Sequence, residues 1–199
     1  MKALIVLAHQ KGEGSFCYAL AQMARETLLE QGWEVIWKDL YAEHFDPVLT
    51  EEELSLPMEA VSGKLREEIA EVMEASLYVV IHPNWWGMPP AILKGWIDRV
   101  IRQGFCYAFT EKGPVRKLEG HRAVVFTTGN TPPEIETNVN GDPLENLWKN
   151  IVFKTVGVDD CVRLNFASVI LSSPTQRQEW LEEARAVLLK KAVSSDVNV

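Results

Sequence analysis

Residues 3–32, ALIVLAHQKGEGSFCYALAQMARETLLEQG, pass from an apolar run through a glycine loop into a helical pattern. The run 3–8 is continuous and rich in Ile, Val and Leu, without the alternation of a half-exposed strand. That is the pattern of a parallel strand covered on both faces. Beyond the loop, Phe16, Leu20, Met23, Ala24, Thr27 and Leu28 recur at helical spacing. Ser15 is placed as N-cap and Gly32 as the C-terminal stop, so the spacing predicts a helix over 16–31.

The same alternation continues to the end of the chain. WEVIWKDL (33–40) predicts a second strand, followed by an acidic connection over 41–56. Met58, Val61, Leu65, Ile69, Val72 and Met73 keep a helical period, and LYVVIH (77–82) is a third buried strand. Pro89-Pro90 opens a third helix with Ile92, Leu93, Trp96, Ile97, Val100 and Ile101 on its apolar face. RAVVFTT (122–128) is the fourth strand. Asp142-Pro143 with Glu145 predicts a capping box for a helix that buries Leu144, Leu147, Trp148, Ile151 and Val152. CVRLNFASVI (161–170) is the fifth strand. Ser173-Pro174 starts a last helix that turns Trp180, Leu181, Ala184, Val187 and Leu188 inward. Five strands alternating with five helices make an α/β domain, a doubly wound five-stranded parallel sheet with helices on both faces. The chain reads as one domain over 1–199, with 193–199 a frayed tail.

Of 199 residues, 47% are hydrophobic and 24% charged, and the formal net charge is −8. One core suits that size. The acidic balance and the lack of a Lys/Arg block argue against nucleic acid and anionic membranes as partners. Cys17, Cys106 and Cys161 are too few and too scattered for a disulfide framework or a zinc site, which points to reduced thiols and a cytoplasmic location. No apolar run approaches the roughly 18 residues of a membrane span. His9, His44, His82 and His121 show no ligand spacing, so no metal is expected.

A doubly wound sheet binds ligands at the carboxyl ends of its strands, which directs attention to 9–15, 41–47, 83–89, 129–141 and 171–174. HQKGEGS (9–15) ends at a helix N-terminus, where backbone N–H groups and the helix dipole suit a phosphate. Ser15 could both cap the helix and donate to a phosphate oxygen; a plain left-handed turn with an N-cap is the bland alternative. Gly12-x-Gly14 lacks the third glycine of a dinucleotide fingerprint, and the chain has no P-loop GK[ST] and no GxSxG elbow. HPNWWGMPP (82–90) sets Trp85 and Trp86 around Asn84 and Gly87, with one indole expected beside the ligand and the other against the third helix or a partner subunit. TTGN (127–130) adds hydroxyls and amide N–H groups. A phosphate ester, aromatic walls and hydrogen bonds to a polar ring edge describe FMN or the flavin half of FAD, and equally another phosphorylated aromatic ligand.

DLYAEHFDP (39–47), WWGMPPAILKGWIDRV (85–100), TTGN (127–130) and GDPLENLW (141–148), with Ala8-His9 ending the first strand, carry a resemblance. In family order over roughly Met1 to Trp180, they resemble the flavodoxin-like NAD(P)H:quinone oxidoreductase family; Pro90–Val100 is the most specific stretch. The resemblance implies a flavodoxin-like fold, a homodimer and a tightly bound flavin (FMN or FAD). It also implies ping-pong transfer of two electrons as hydride from NAD(P)H to a quinone or similar small acceptor. Carried over, it places His9, Ser15, Phe16 and Cys17 along the flavin phosphate and ribityl chain. Pro83, Asn84, Trp85, Trp86 and Gly87 would wrap the isoalloxazine edge, and Thr127, Thr128, Gly129 and Asn130 would bond its pyrimidine side. Tyr107, with Phe109, would reach over the acceptor pocket of the partner subunit, which makes Tyr107 and Trp86 the candidate catalytic residues.

The chain also departs from that family. Animal quinone reductases carry a Tyr and a His, proposed to handle protons, beyond the glycine turn; NTPPEIETNVNGD (130–142) contains neither, and Asn140 stands in the histidine's place. With that Tyr and His missing, solvent could protonate the acceptor instead; Asn130 also replaces a glycine, Cys17 an asparagine and Phe109 a tyrosine. Two other roles compete: an ancillary subunit of a potassium-efflux transporter, as some relatives are, and a one-electron flavodoxin shuttle, whose phosphate loop HQKGEGS matches poorly. Elsewhere, His82 reads as a satisfied strand-end residue, and His44 and Glu51–Glu53 as solvated surface. Trp33, Trp37, Trp148 and Trp180 read as packing, Trp96 as core or dimer contact, and Cys106 and Cys161 as small buried hydrophobes.

Overall fold

The continuous apolar runs become the strands of one parallel sheet. In the computed structural model, which describes residues 1–193, the strands are β1 (Lys2–Leu7), β2 (Glu34–Asp39), β3 (Leu77–Pro83), a hairpin of β4 (Tyr107–Thr110) and β5 (Gly113–Arg116), β6 (Arg122–Thr128) and β7 (Asp160–Phe166). The sheet order is β2-β1-β3-β6-β7, all parallel, with Leu4 facing Ile36 and Tyr78, and Tyr78 facing Ala123. Residues 194–199 of the expected tail lie outside the described residues, and Val193 is the last residue of the final helix.

The helices are α1 (Phe16–Glu30), α2 (Glu51–Ser55), α3 (Gly63–Glu74), α4 (Ala91–Val100), α5 (Pro133–Asn138), α6 (Pro143–Glu145), α7 (Lys154–Val156) and α8 (Pro174–Val193). Successive strand residues point to opposite faces, so the sheet builds two cores. Ala3, Ile5, Leu7, Val79 and Ile81 pack with Leu20, Ala24 and Leu28 of α1 and Ala184 and Leu188 of α8. Leu4, Val6, Tyr78 and Val80 pack with Ile69 and Val72 of α3, Leu93 and Trp96 of α4, and Trp148. Trp96 is thereby core, 4% exposed, and its indole N–H donates to Glu68.

Several boundaries move for local reasons. The helix expected from Met58 begins only at Gly63, because Val61 is extended and Gly63 takes φ +60°; Met58–Ala60 is a single 3-10 turn. Ser168 at φ +55° ends the last strand at Phe166 instead of residue 170. Asp142 caps α6 through Glu145 N–H, but the Glu145 carboxylate turns to Arg163, 3.0 Å away, so no capping box forms. From α6 the helix continues through a π-helical segment, Asn146–Phe153, into α7. The β4–β5 hairpin has no counterpart in the sequence reading, since four-residue strands are too short for a period to show. Glu53 is not solvated surface: it takes a two-pronged bond from Arg99 at 2.6 and 2.9 Å.

Residues 41–47, expected among the ligand loops, do not line the cleft; Phe45, Asp46 and Pro47 lie against Arg99 and Gly95 of α4. A Cβ at Gly95 would sit 2.2 Å from the Pro47 carbonyl oxygen, so this close approach requires glycine. Helix propensity alone favours Gly95→Ala by about 1 kcal/mol. The clash reverses the sign, and Gly95→Ala is expected to destabilise the fold by about 2 kcal/mol. A lower urea midpoint checks this; a higher one would show that the 41–47 connection does not rest on α4.

Candidate functional site

Strand order reverses between β1 and β3, and a cleft of about 730 Å³ opens at the carboxyl edge there. Its walls are His9, Gln10 and Lys11 after β1; Gly14, Ser15 and Phe16 at the start of α1; Pro83, Asn84 and Trp85 after β3; Thr128–Thr131 after β6; Val169 and Ile170 after β7; and Arg177 of α8. In a chain of net charge −8, this lining contains Lys11 and Arg177 and no carboxylate. The volume is that of a cofactor-sized ligand.

At the α1 end, the Ser15 hydroxyl accepts from Tyr18 N–H at 3.0 Å and donates its proton to the Gly12 carbonyl at 2.8 Å. Ser15 is therefore cap and loop lock, and it lines the cleft. The first-turn N–H groups of Phe16 and Cys17 have no intrahelical acceptor and remain for an anion. Lys11 N–H donates to His9 Nδ1 at 3.1 Å, which leaves Nε2–H as the donor of the neutral ring; burial, then Lys11, hold the His9 pKa below its ordinary value. The Cys17 side chain is buried behind the wall, 3.2 Å from the Thr128 hydroxyl, and burial pushes its thiol up to about 12. Arg177, absent from the sequence reading, is steadied by Ser172 Oγ at 2.8 Å and the Val169 carbonyl at 3.1 Å. Its only signal in the sequence is its place in the first turn of the last helix, after a strand that ends at Phe166, four residues short of its apolar run.

At the other end, Thr128 lines the cleft but Thr127 does not. The Thr127 hydroxyl is fully buried, donates to Asn165 at 2.9 Å and accepts from Arg163 at 2.6 Å. Gly129 N–H donates to the Phe166 carbonyl at 2.9 Å, and Asn130 Oδ1 accepts from Ile170 N–H at 3.0 Å. Thr127, Gly129 and Asn130 thus tie β6 to β7 and the turn beyond it, while Thr128, Gly129 and Asn130 also line the cleft.

Trp85 and Met88 exchange two backbone bonds of 3.0 Å around Trp86 at φ +58° and Gly87 at φ +73°. This is a two-residue turn with both central residues left-handed, as in type I′. Trp85 is 39% exposed and forms the wall; Trp86, at the tip, is 101% exposed and packs on neither cleft nor α4. Gly87 lies outside the lining, against Pro143, whose Cγ would be 2.8 Å from an added Cβ. Tyr107 and Phe109 sit edge to face at 5.7 Å on β4, outside the cleft of their own chain.

Buried polar groups brace these walls. His82, fully buried at the end of β3, donates from Nδ1 to the Pro83 carbonyl at 2.8 Å and accepts the Trp148 indole N–H at Nε2, 2.9 Å. The π-helical segment carries Trp148. Arg163, its side chain 2% exposed, bonds Asp142, Glu145 and Thr127 and ties the start of α6 to β7. A second void, about 20 Å³ between Val80, Trp96 and Phe153, is wholly apolar. Among the described residues, no three His, Cys, Asp or Glu side chains cluster as a metal would need.

A family model described as having a flavodoxin-like fold matches residues 1–192, and the chain belongs to that family. Over 190 residues it is 38% identical to an uncharacterized NAD(P)H oxidoreductase of Haemophilus influenzae, covering 92% of each chain. It is 34% identical to NAD(P)H dehydrogenase (quinone) 1 of Cavia porcellus, covering 74% of this chain and 60% of that relative. The solved FMN-dependent NADH-azoreductase of Bacillus anthracis, in complex with FMN, shares the fold with a TM-score of 0.81 at 20% identity, over 96% of this chain and 99% of that one. The chain is accordingly a member of a family of oxidoreductases.

Burial, aided by Arg163 and opposed by the Pro83 bond, lowers the His82 pKa from 6.5 to about 4. As pH falls through that window the unfolded chain takes up a proton that the folded ring refuses, so stability falls with it, by up to about 3 kcal/mol. Below about pH 4 the loss levels off. Urea unfolding across this range should show His82→Gln losing that part of the slope; equal slopes would exclude His82 as the source.

Proposed function

We propose that this chain is a flavin-dependent NAD(P)H oxidoreductase that passes two electrons as hydride, in ping-pong order, to a quinone or similar small acceptor. The observation that carries the reading is the polarity of the cleft: an acidic protein keeps carboxylates out of it and places Lys11, Arg177 and the α1 N-terminus at one end and Trp85 at the other. The first end suits a phosphate and the second a flat heteroaromatic ring, which together fit FMN.

Bound flavin supplies the acceptance and delivery of hydride. The chain's part is to bind and orient. Phe16 and Cys17 N–H, Lys11 and Arg177 hold the phosphate, and His9 Nε2–H donates to a ligand oxygen. Trp85 would flank the ring and limit how it can lie in the cleft, which orients it for donor and acceptor. Residues 130–142 offer no His or Tyr, so water protonates the acceptor. The names of the relatives and the FMN of the azoreductase support this reading.

We also place the protein in the cytoplasm as a homodimer. Among the described residues no helix is long and apolar enough to cross a membrane. Trp86, Met88, Phe109 and Val115 leave apolar side chains exposed that a second copy would cover, carrying Tyr107 and Phe109 over its partner's cleft.

The purified protein should be yellow and bleach with NAD(P)H under anaerobic conditions, and mass measurement of the heat-released cofactor separates FMN from FAD. Arg177→Ala should weaken flavin binding about tenfold, the effect of one charge-assisted hydrogen bond. A colourless protein that no flavin reconstitutes would overturn the proposal.

A further inference from the structure

We infer that Glu136 is a positioning residue: through the Asn84 amide it sets the tryptophan turn at the mouth of the cleft. Its consequence for turnover rests on the flavin-cleft reading above; the positioning itself does not. Glu136 lies on α5 and is 3% exposed, although glutamate is among the residues least often buried. Two amides meet its carboxylate: Asn84 Nδ2 donates at 3.0 Å and Asn140 Nδ2 at 3.2 Å.

A carboxylate only accepts, so it fixes which end of the Asn84 amide faces it. The NH2 end turns to Glu136, and Oδ1 is left to accept from Gly87 N–H at 2.9 Å. The Asn84 backbone cannot move to compensate, because its N–H is bonded to the Thr128 carbonyl at 2.6 Å. Flipping the amide would set NH2 against N–H at Gly87 and oxygen against oxygen at Glu136. The bond to Gly87 holds the second central residue of a turn whose first is Trp86 at φ +58°. A bulky residue in that conformation is strained and persists only where its surroundings impose it. Asn84 clamps the turn from inside, and Pro143 closes on Gly87 from outside. Glu136 is therefore the acceptor that keeps Asn84 in its clamping orientation, and with it the placement of Trp85 and Trp86.

The test uses flavin-free protein carrying fluorine-labelled tryptophan, with the Trp85 and Trp86 resonances assigned by Trp85→Phe and Trp86→Phe. Glu136→Leu removes both acceptors, whereas Glu136→Gln keeps an oxygen for Asn84, because the exposed Asn140 amide can turn its own oxygen to the new NH2. In Glu136→Leu the Trp85 and Trp86 resonances should shift or broaden while those of Trp33 and Trp148 stay, and kcat/KM of the holoenzyme should fall about tenfold. Glu136→Gln, the conservative rescue, should leave these resonances in place. Unmoved Trp85 and Trp86 resonances in Glu136→Leu, shifts spread over all seven tryptophans, or the same shifts in Glu136→Gln would overturn the proposal. If Glu136→Leu does not fold, Asn84→Ala must move the same two resonances, and their staying put would also overturn it. Local shifts with rescue in a protein that binds no flavin would uphold the positioning role and sink the flavoenzyme reading instead.

Discussion

Parallel pairing of β1 with both β2 and β3 is the constraint on which the rest of the molecule depends. Parallel strands cannot be joined by tight turns, so each must be followed by a crossover, and right-handed crossovers cover both faces. Every strand then ends at the same edge, and the helix after β1 begins there with the N–H groups of Phe16 and Cys17 lacking an intrahelical acceptor. Beginning at β1 and winding outward in two directions leaves a gap between the loops that follow β1 and β3. The cleft is that gap, and its lining comes from four strand ends and α8.

An open edge of loops needs bracing, and the bracing is polar and buried. His82 accepts from Trp148, Arg163 gathers Asp142, Glu145 and Thr127, and Glu136 joins Asn84 to Asn140. Burying such groups is costly unless they are hydrogen-bonded, and each of these three is. The reward is geometric: hydrogen bonds have direction, whereas the apolar packing beneath does not. The strained Trp86 shows what that direction holds in place, an indole at the tip of a two-residue turn with no packing of its own in this chain.

Most of the fold was legible. Strand and helix order, the five-stranded parallel sheet and the edge that binds ligands all follow from apolar periodicity and capping residues. Short or irregular elements were not: the β4–β5 hairpin and α2 lack the length for a period, and the π-helical segment breaks the α-helical one, turning Ile151, expected inward, out to 52% exposure and burying Phe153 instead. Residues of the cleft were legible by loop and not by role. Thr127 and Thr128 are neighbours of one type, yet strand alternation sends one hydroxyl to Arg163 and the other to the cleft wall. Ser15 was correctly placed as a cap, but the fate of its proton depends on Gly12 turning its carbonyl inward.

The sequence by itself determined what is local or periodic: which runs are buried on both faces, where helices start, and that the β1 loop meets a helix N-terminus. Tertiary structure decided what depends on residues far apart meeting. Arg177 joins a loop more than 160 positions earlier, Glu136 selects the rotamer of Asn84, and Pro47 demands glycine at Gly95. Hydrogen-bond direction and close approach are properties of pairs in space, and no single stretch of chain contains both partners.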